Sequence, residues 1–138
     1  MSEQTVTTGE VVATFLEACG VQTAFGVISI HNLPMLDAIG RRGNIRFVPS
    51  RGEAGALNMA DAYARTRGEL GVAFTSTGTG AGNAAGALVE AETAGTPLLH
   101  LTGQIDLPHL DRGRGYIHET KAQLGMLRSI SKAVYRVW

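Results

Sequence analysis

The stretch RGEAGALNMADAYARTRGELGVAFTSTGTGAGNAAGALVEAETAGTPLLHLTG, residues 51–103, decides the fold. Two kinds of segment alternate in it. GEAGALNMADAYART (52–66) and AGNAAGALVEAETAG (81–95) are rich in small helix formers, and Ala56, Ala60 and Ala64 recur every four residues. LGVAFTS (70–76) and PLLHLTG (97–103) are short, continuously apolar runs. Small side chains at helical spacing let a helix lie close against a sheet. Strands without polar alternation are covered on both faces, as in parallel sheets with helical crossovers. The stretch therefore predicts helix, strand, helix, strand.

The same alternation extends to both sides. Thr7-Thr8-Gly9-Glu10 has the form of a capping box. The helix after it puts Val12, Phe15, Leu16 and Cys19 on one face and stops at Gly20. TAFGVI (23–28) and IRFVP (45–49) read as strands. Between them HNLPMLDAIG is a helix with Asn32 as cap, Pro34 in its first turn and Gly40 at its end. Beyond residue 103 the chain is irregular, then helical in HETKAQLGMLRSI (118–130), with KAVYRV (132–137) as a last strand. The expected fold class is α/β: three layers, αβα, around a mostly parallel sheet with helices on both faces.

At 138 residues the chain is one domain on length. Hydrophobic content of 44% against 17% charge excludes a disordered chain. A formal net charge of zero gives no electrostatic footprint for nucleic acid. The single cysteine, Cys19, forms no internal disulfide and reads as a small buried hydrophobe. There is no signal-peptide pattern and no run long enough to span a membrane, so a cytoplasmic protein is expected. The chain stops at Trp138 with an element under way, which suggests a piece of a longer multidomain chain.

In open parallel sheets ligands bind outside the carboxyl ends of the strands. The groups to read are therefore 28–31, 49–53, 75–83 and 103–106. Glu53 sits where a strand ends and a helix begins, so it either steadies the helix dipole or is aimed into a site. In TSTGTGAGN, Gly78, Gly80 and Gly82 would let backbone amides approach an anion or a polar heterocycle. GAGNAA has the form of a dinucleotide fingerprint, but it follows the third strand rather than the first. His31, His100, His109 and His118 match no metal spacing, and His31 alone stands at a strand's carboxyl edge. Arg112 and Arg114 in a glycine-rich loop offer an anion site or a solvated loop. Ser76 has no base and orienter near it in sequence.

Taken together, residues 51–104 resemble the N-terminal pyrimidine-binding domain of thiamine-diphosphate-dependent enzymes of acetolactate synthase, pyruvate oxidase and benzoylformate decarboxylase type. The family's R-H-E, A-x-x-M-A-D-G-Y-A-R, T-S-G-P-G-x-x-N and P-L-x-x-x-x-G-Q patterns have counterparts here. AFGVISIHNLPMLDAI is similar to its F-G-V-P-G segment, and the likeness runs from about residue 7 to 137.

The resemblance implies a catalytic role for Glu53. It would hydrogen-bond N1′ of the cofactor's aminopyrimidine and favour the imino tautomer, whose nitrogen takes the proton from C2 of the thiazolium. A carboxyl in a dry site can share a proton with such a weakly basic ring nitrogen. It also implies that Gly78, Thr79, Gly80 and Asn83 lie against the pyrimidine, and that Ile28, Ser29, Gly52 and Gln104 lie on the substrate side. The cofactor would be thiamine diphosphate, with Mg²⁺ bound by a domain absent from this chain and FAD possible in the parent enzyme. Partners would be a 2-oxo acid or aldehyde substrate and further copies of the parent chain, as a dimer or tetramer, with no nucleic acid or membrane. Gly52 replaces the family's His, and Thr79 its Pro. Two other readings stand beside this one: a natural small subunit of a two-chain 2-oxo acid decarboxylase, and a doubly wound nucleotide-binding module using GAGNAA.

Overall fold

The computed structural model describes residues 6–137. Elements follow in the order α1 (Thr8–Ala18), β1 (Thr23–Gly26), α2 (Leu33–Arg42), β2 (Arg46–Pro49), α3 (Glu53–Arg67), β3 (Gly71–Thr75), α4 (Thr79–Thr93), β4 (Leu98–Thr102) and α5 (Gln123–Arg128). A single 3-10 turn, Leu107–His109, follows β4. The strands form one sheet in the order β2-β1-β3-β4, and every pairing is parallel.

Strand alternation sorts the core into two layers. Ala24, Val72 and Phe74 point to one face, where Ala13 and Leu16 of α1 and Ala38 and Ile39 of α2 cover them. Phe25 and Ala73, one residue out of step, point to the other. There Ala56, Leu57 and Ala60 of α3, Ala84, Ala87 and Leu88 of α4, and Leu127 of α5 cover them. β3, central and covered on both sides, is buried throughout. This is the expected three-layer αβα arrangement.

The small-residue stripe sets the distance between layers. Ala56, Ala60 and Ala64 are at most 1% exposed. A Cβ added at Gly71 would lie 2.4 Å from the Ala60 carbonyl oxygen, so α3 rests directly on the backbone of β3. Only glycine permits that approach.

Several local expectations change. Thr7 does cap α1, accepting from the Glu10 amide at 3.3 Å. The Glu10 side chain, though, pairs with Arg41 at 2.6 Å and Arg42 at 3.3 Å, tying α1 to α2 instead of closing the box. Phe15 is 55% exposed and Cys19 is exposed, so the buried face of α1 is Gly9, Ala13 and Leu16. The α1 pattern admits two adjacent apolar faces, and packing chose the one with small residues, where α2 can come close. α2 runs past Gly40 and ends at Gly43, whose φ of 69° is the left-handed cap. The expected helix 118–130 contracts to Gln123–Arg128, and residues 132–137 form no strand. The expectation drawn from Trp138 lies outside the described residues.

Candidate functional site

The parallel topology brings four strand ends to one edge, and the ladder continues into the loops beyond them. Val27 N donates to Phe74 O at 3.0 Å, and Ser50 N donates to Gly26 O at 2.7 Å. Asn32, wholly buried, locks the β1 loop. Its Oδ1 accepts from Ser29 N at 2.9 Å, and its Nδ2 donates to Val27 O at 2.9 Å and to Thr75 O at 3.2 Å. Asn32 therefore stands at the cap position of α2 without capping it. The Oδ1 that would cap the helix is taken instead by the Ser29 amide.

Glu53 opens α3 at this edge, half-buried, with Gly52 extended before it. The positive end of the α3 dipole lies under its carboxylate. Asn83 of α4 donates to Glu53 Oε2 at 3.3 Å. A Cβ added at Gly80 would lie 2.8 Å from Glu53 Oε1 and 2.8 Å from Ser76 Cβ. The carboxylate is thus seated between two helix starts, at a spot only glycine leaves free. A Cβ at Gly52 would meet nothing within 4 Å, so open space borders Glu53 on that side.

The turn after β3 is held from behind. The Gln123 Oε1 accepts from Gly78 N at 2.7 Å and from the Thr77 hydroxyl at 2.7 Å, while its Nε2 donates to Gly103 O at 3.1 Å. One buried amide thereby clamps the loops after β3 and β4 together. The Gly80 and Gly82 amides donate within the turn, to Thr77 O and Gly78 O. Gly78 and Gly80 therefore give room to neighbours rather than free amides: Gly78, with φ of 56°, would place a Cβ 1.9 Å from the His118 carbonyl oxygen.

Of the residues singled out in the sequence, Glu53, Gly80 and Asn83 meet directly. Thr79 opens α4 on the exposed rim. Gln104 accepts from Thr77 Oγ1 at 3.4 Å and from its neighbour's amide, Ile105 N, at 2.8 Å. Ile28, 59% exposed, and Ser29 lie on the β1 loop without a contact to Glu53. The loop carrying Arg112 and Arg114 supplies its own anion: Glu119 accepts from Gly113 N at 2.8 Å and Tyr116 N at 3.1 Å.

Three participants had no local signal. Asn32 reads as a cap in sequence, and Gln123 as one residue of the expected helix 118–130. His118 stands 42 residues from Ser76, yet its Nδ1 lies 3.1 Å from the Ser76 Oγ. Ser76 thus does have an imidazole partner, which sequence proximity alone did not supply. His31 lies beside His118, the rings tilted by 40° with centroids 5.4 Å apart. Burial and the His118 ring hold the His31 imidazole below its ordinary value, against a smaller upward pull from Asp106. His100, under the edge, bonds Thr75 Oγ1 at 2.8 Å, and burial pushes its imidazole down to about 4. Among the described residues no group of three or more His, Cys, Asp or Glu could hold a metal ion.

Known proteins resemble this chain in sequence and in fold. Residues 6–126 match the family model described as thiamine pyrophosphate enzyme, N-terminal TPP binding domain. The chain is 37% identical over 129 residues to the protein named "Probable 2-ketoarginine decarboxylase AruI" of Pseudomonas aeruginosa, covering 94% of this chain and 23% of that one. It is 31% identical over 135 residues to the acetolactate synthase large subunit of Lactococcus lactis, covering 98% and 23%. The thiamine diphosphate-dependent 4-hydroxybenzoylformate decarboxylase of Rhodococcus jostii RHA1 superposes with a TM-score of 0.70 at 32% identity, covering 75% of this chain and 19% of that one. The chain spans less than a quarter of each of these proteins.

Proposed function

The chain belongs to the family of thiamine pyrophosphate enzyme N-terminal TPP-binding domains, and from that premise we propose that it is the pyrimidine-binding part of an acetolactate synthase-like lyase or transferase acting on a 2-oxo acid or aldehyde. The observation that carries the proposal is the seat of Glu53. Its carboxylate stands at the sheet's carboxyl edge, steadied by Asn83, against a residue 80 that leaves no room for a Cβ.

These residues fit thiamine diphosphate. A carboxylate at a helix start, with open space beside Gly52, suits a flat ring carrying a nitrogen to be hydrogen-bonded. When bound, the cofactor would supply the carbanion chemistry that 2-oxo acid cleavage and carboligation need. In this reading Glu53 holds or shares a proton at the ring nitrogen. Asn83 fixes the carboxylate's orientation through Oε2. Gly78, Thr79 and Gly80 shape the wall against the ring. Ile28, Ser29, Gly52 and Gln104 face the substrate, and Gly52 leaves room for a larger one.

The same proposal covers the remaining parts. Mg²⁺ would be held with the diphosphate by a domain outside this chain, and FAD by another such domain if the complete enzyme uses it. A second subunit would complete the site, making a dimer or tetramer. The chain would then be one domain of a longer cytoplasmic polypeptide and inactive alone. No helix among the described residues is long and apolar enough to cross a membrane. The family match supports this reading over a stand-alone nucleotide module, as does the internal use of the Gly80 and Gly82 amides.

The test is Glu53→Gln in the complete enzyme. The expected result is a fall in kcat of about 10²–10⁴, with thermal stability nearly unchanged because the side chain is half-exposed. Full turnover by the variant would overturn the assignment.

A further inference from the structure

We propose that His100 is a positioning residue: through Thr75 it fixes the carbonyl of Ser76, and with it the turn that seats Glu53. The link to turnover rests on the proposed function; the placement of the turn does not.

The side chains that carry this lie on one face of the sheet. β4 pairs with β3 so that His100 stands opposite Ala73 and Thr102 opposite Thr75. Ala73 points into the layer that α3, α4 and α5 cover. Thr75, His100 and Thr102 therefore point to the same side, since side chains two apart on a strand share a face. An apolar side chain would fill the place of His100 without a desolvation cost. An imidazole does so only with a polar partner. That partner is Thr75, whose Oγ1 lies 2.8 Å from His100 Nε2.

The direction of each bond follows from what each atom can do. A carbonyl only accepts, so the Thr75 hydroxyl, 3.0 Å from Ser76 O, gives its one proton there. His100 Nε2 must then be the donor, which fixes the neutral tautomer with its proton on Nε2. Burial holds the ring neutral, down to about 4, so this donor persists near neutral pH. Thr102 Oγ1 donates to the same carbonyl at 2.8 Å. Ser76 O thus accepts from two hydroxyls, and the one that is itself bonded by His100 donates the more strongly for it. The Ser76 peptide is the root of the turn. A Cβ at Gly80 would meet Ser76 Cβ on one side and Glu53 Oε1 on the other, so a shift of this peptide moves one wall of the seat.

Two variants separate the donor from the volume it fills. His100→Gln brings an amide N–H to the reach of Nε2, and His100→Leu fills the space without one. In this chain the ring nitrogen-15 shifts of His100 should show a protonated Nε2 and a bare Nδ1. The Thr77 amide, joined to the Ser76 carbonyl carbon, should shift in His100→Leu and return toward its parent position in His100→Gln. In the complete enzyme His100→Leu should lower kcat on the order of tenfold, with KM for substrate little changed. His100→Gln should recover most of that loss. Added to Glu53→Gln, His100→Leu should cost much less than tenfold, because both act on one placement. A merely structural role would lower thermal midpoints and leave the kcat of the folded enzyme unchanged. That outcome would overturn the proposal, as would a proton on Nδ1, an unmoved Thr77 amide, or a loss that His100→Gln does not reverse. The two NMR readouts need neither cofactor nor turnover. Full activity of Glu53→Gln alone would therefore sink the proposed function and leave them decisive for His100.

Discussion

A single methyl group at residue 80 is the sharpest probe of the Glu53 seat. With 2.8 Å to both Glu53 Oε1 and Ser76 Cβ, Gly80→Ala must displace the carboxylate or the turn. We expect kcat of the complete enzyme to fall about as far as for Glu53→Gln, with a stability cost of about 1–3 kcal/mol from overpacking. The double variant should be little worse than either single one, because both remove the same placement. Additive losses would mean that Gly80 does not act through Glu53. His100 gives a second residue-scale test. Its imidazole is held at about 4 in the fold against an ordinary 6.5, because burial penalises the cation. Between those values the unfolded chain binds the extra proton, so stability is full above about pH 6.5 and is lost as pH falls toward about 4. The loss should be on the order of 3 kcal/mol, with His31 adding in the same direction. Thermal midpoints against pH should show this slope, and His100→Gln should flatten it. A slope unchanged in the variant would remove His100 as its source.

Among the elements, α3 and α5 show what could and could not be read in advance. The α3 stripe of alanines and the continuously apolar β3 announced close helix–sheet packing, and Gly71 is where that packing is tightest. Gly71→Ala puts a methyl into the Ala60 carbonyl, 2.4 Å away, and should destabilise by about 1–3 kcal/mol. A variant as stable as the parent protein would mean that α3 can lift without cost. α5 was expected as part of a longer helix over 118–130. What the pattern hid was Gln123, whose amide joins loops 20 and 45 residues away. Gln123→Leu keeps the volume and removes the clamp, leaving Gly78 N and Gly103 O unpaired at roughly 1–3 kcal/mol each. Urea unfolding should show that loss, and protection of the Gly78 amide from hydrogen exchange should fall with it. Glu53 could be placed at a strand-to-helix junction from its own neighbours, and Gly80 and Asn83 beside it only through the resemblance. Asn32, His118 and Gln123 could not be placed so, because their partners lie on other elements.

For the molecule as a whole, the apolar side chains left exposed are informative. Ile28, Ile30, Leu33 and Leu107 are 59%, 70%, 49% and 65% exposed, on loops and a helix start at the carboxyl edge. An exposed apolar rim of this kind marks a surface that another protein surface covers. In isolation the chain should therefore self-associate, its weight-average mass in sedimentation rising with concentration. A clean monomer at high concentration would count against a covered edge. The sequence by itself determined the order of elements as far as β4, the parallel sheet and the position of Glu53 at a strand-to-helix junction, because periodicity, small-residue spacing and chain breaks act over a few residues. Only the tertiary structure decided which face of α1 is buried, where the C-terminal helix stops, and that His31, His118 and Ser76 meet. Those outcomes depend on parallel strands bringing distant loops to one edge, where buried polar groups take whichever partners the fold supplies.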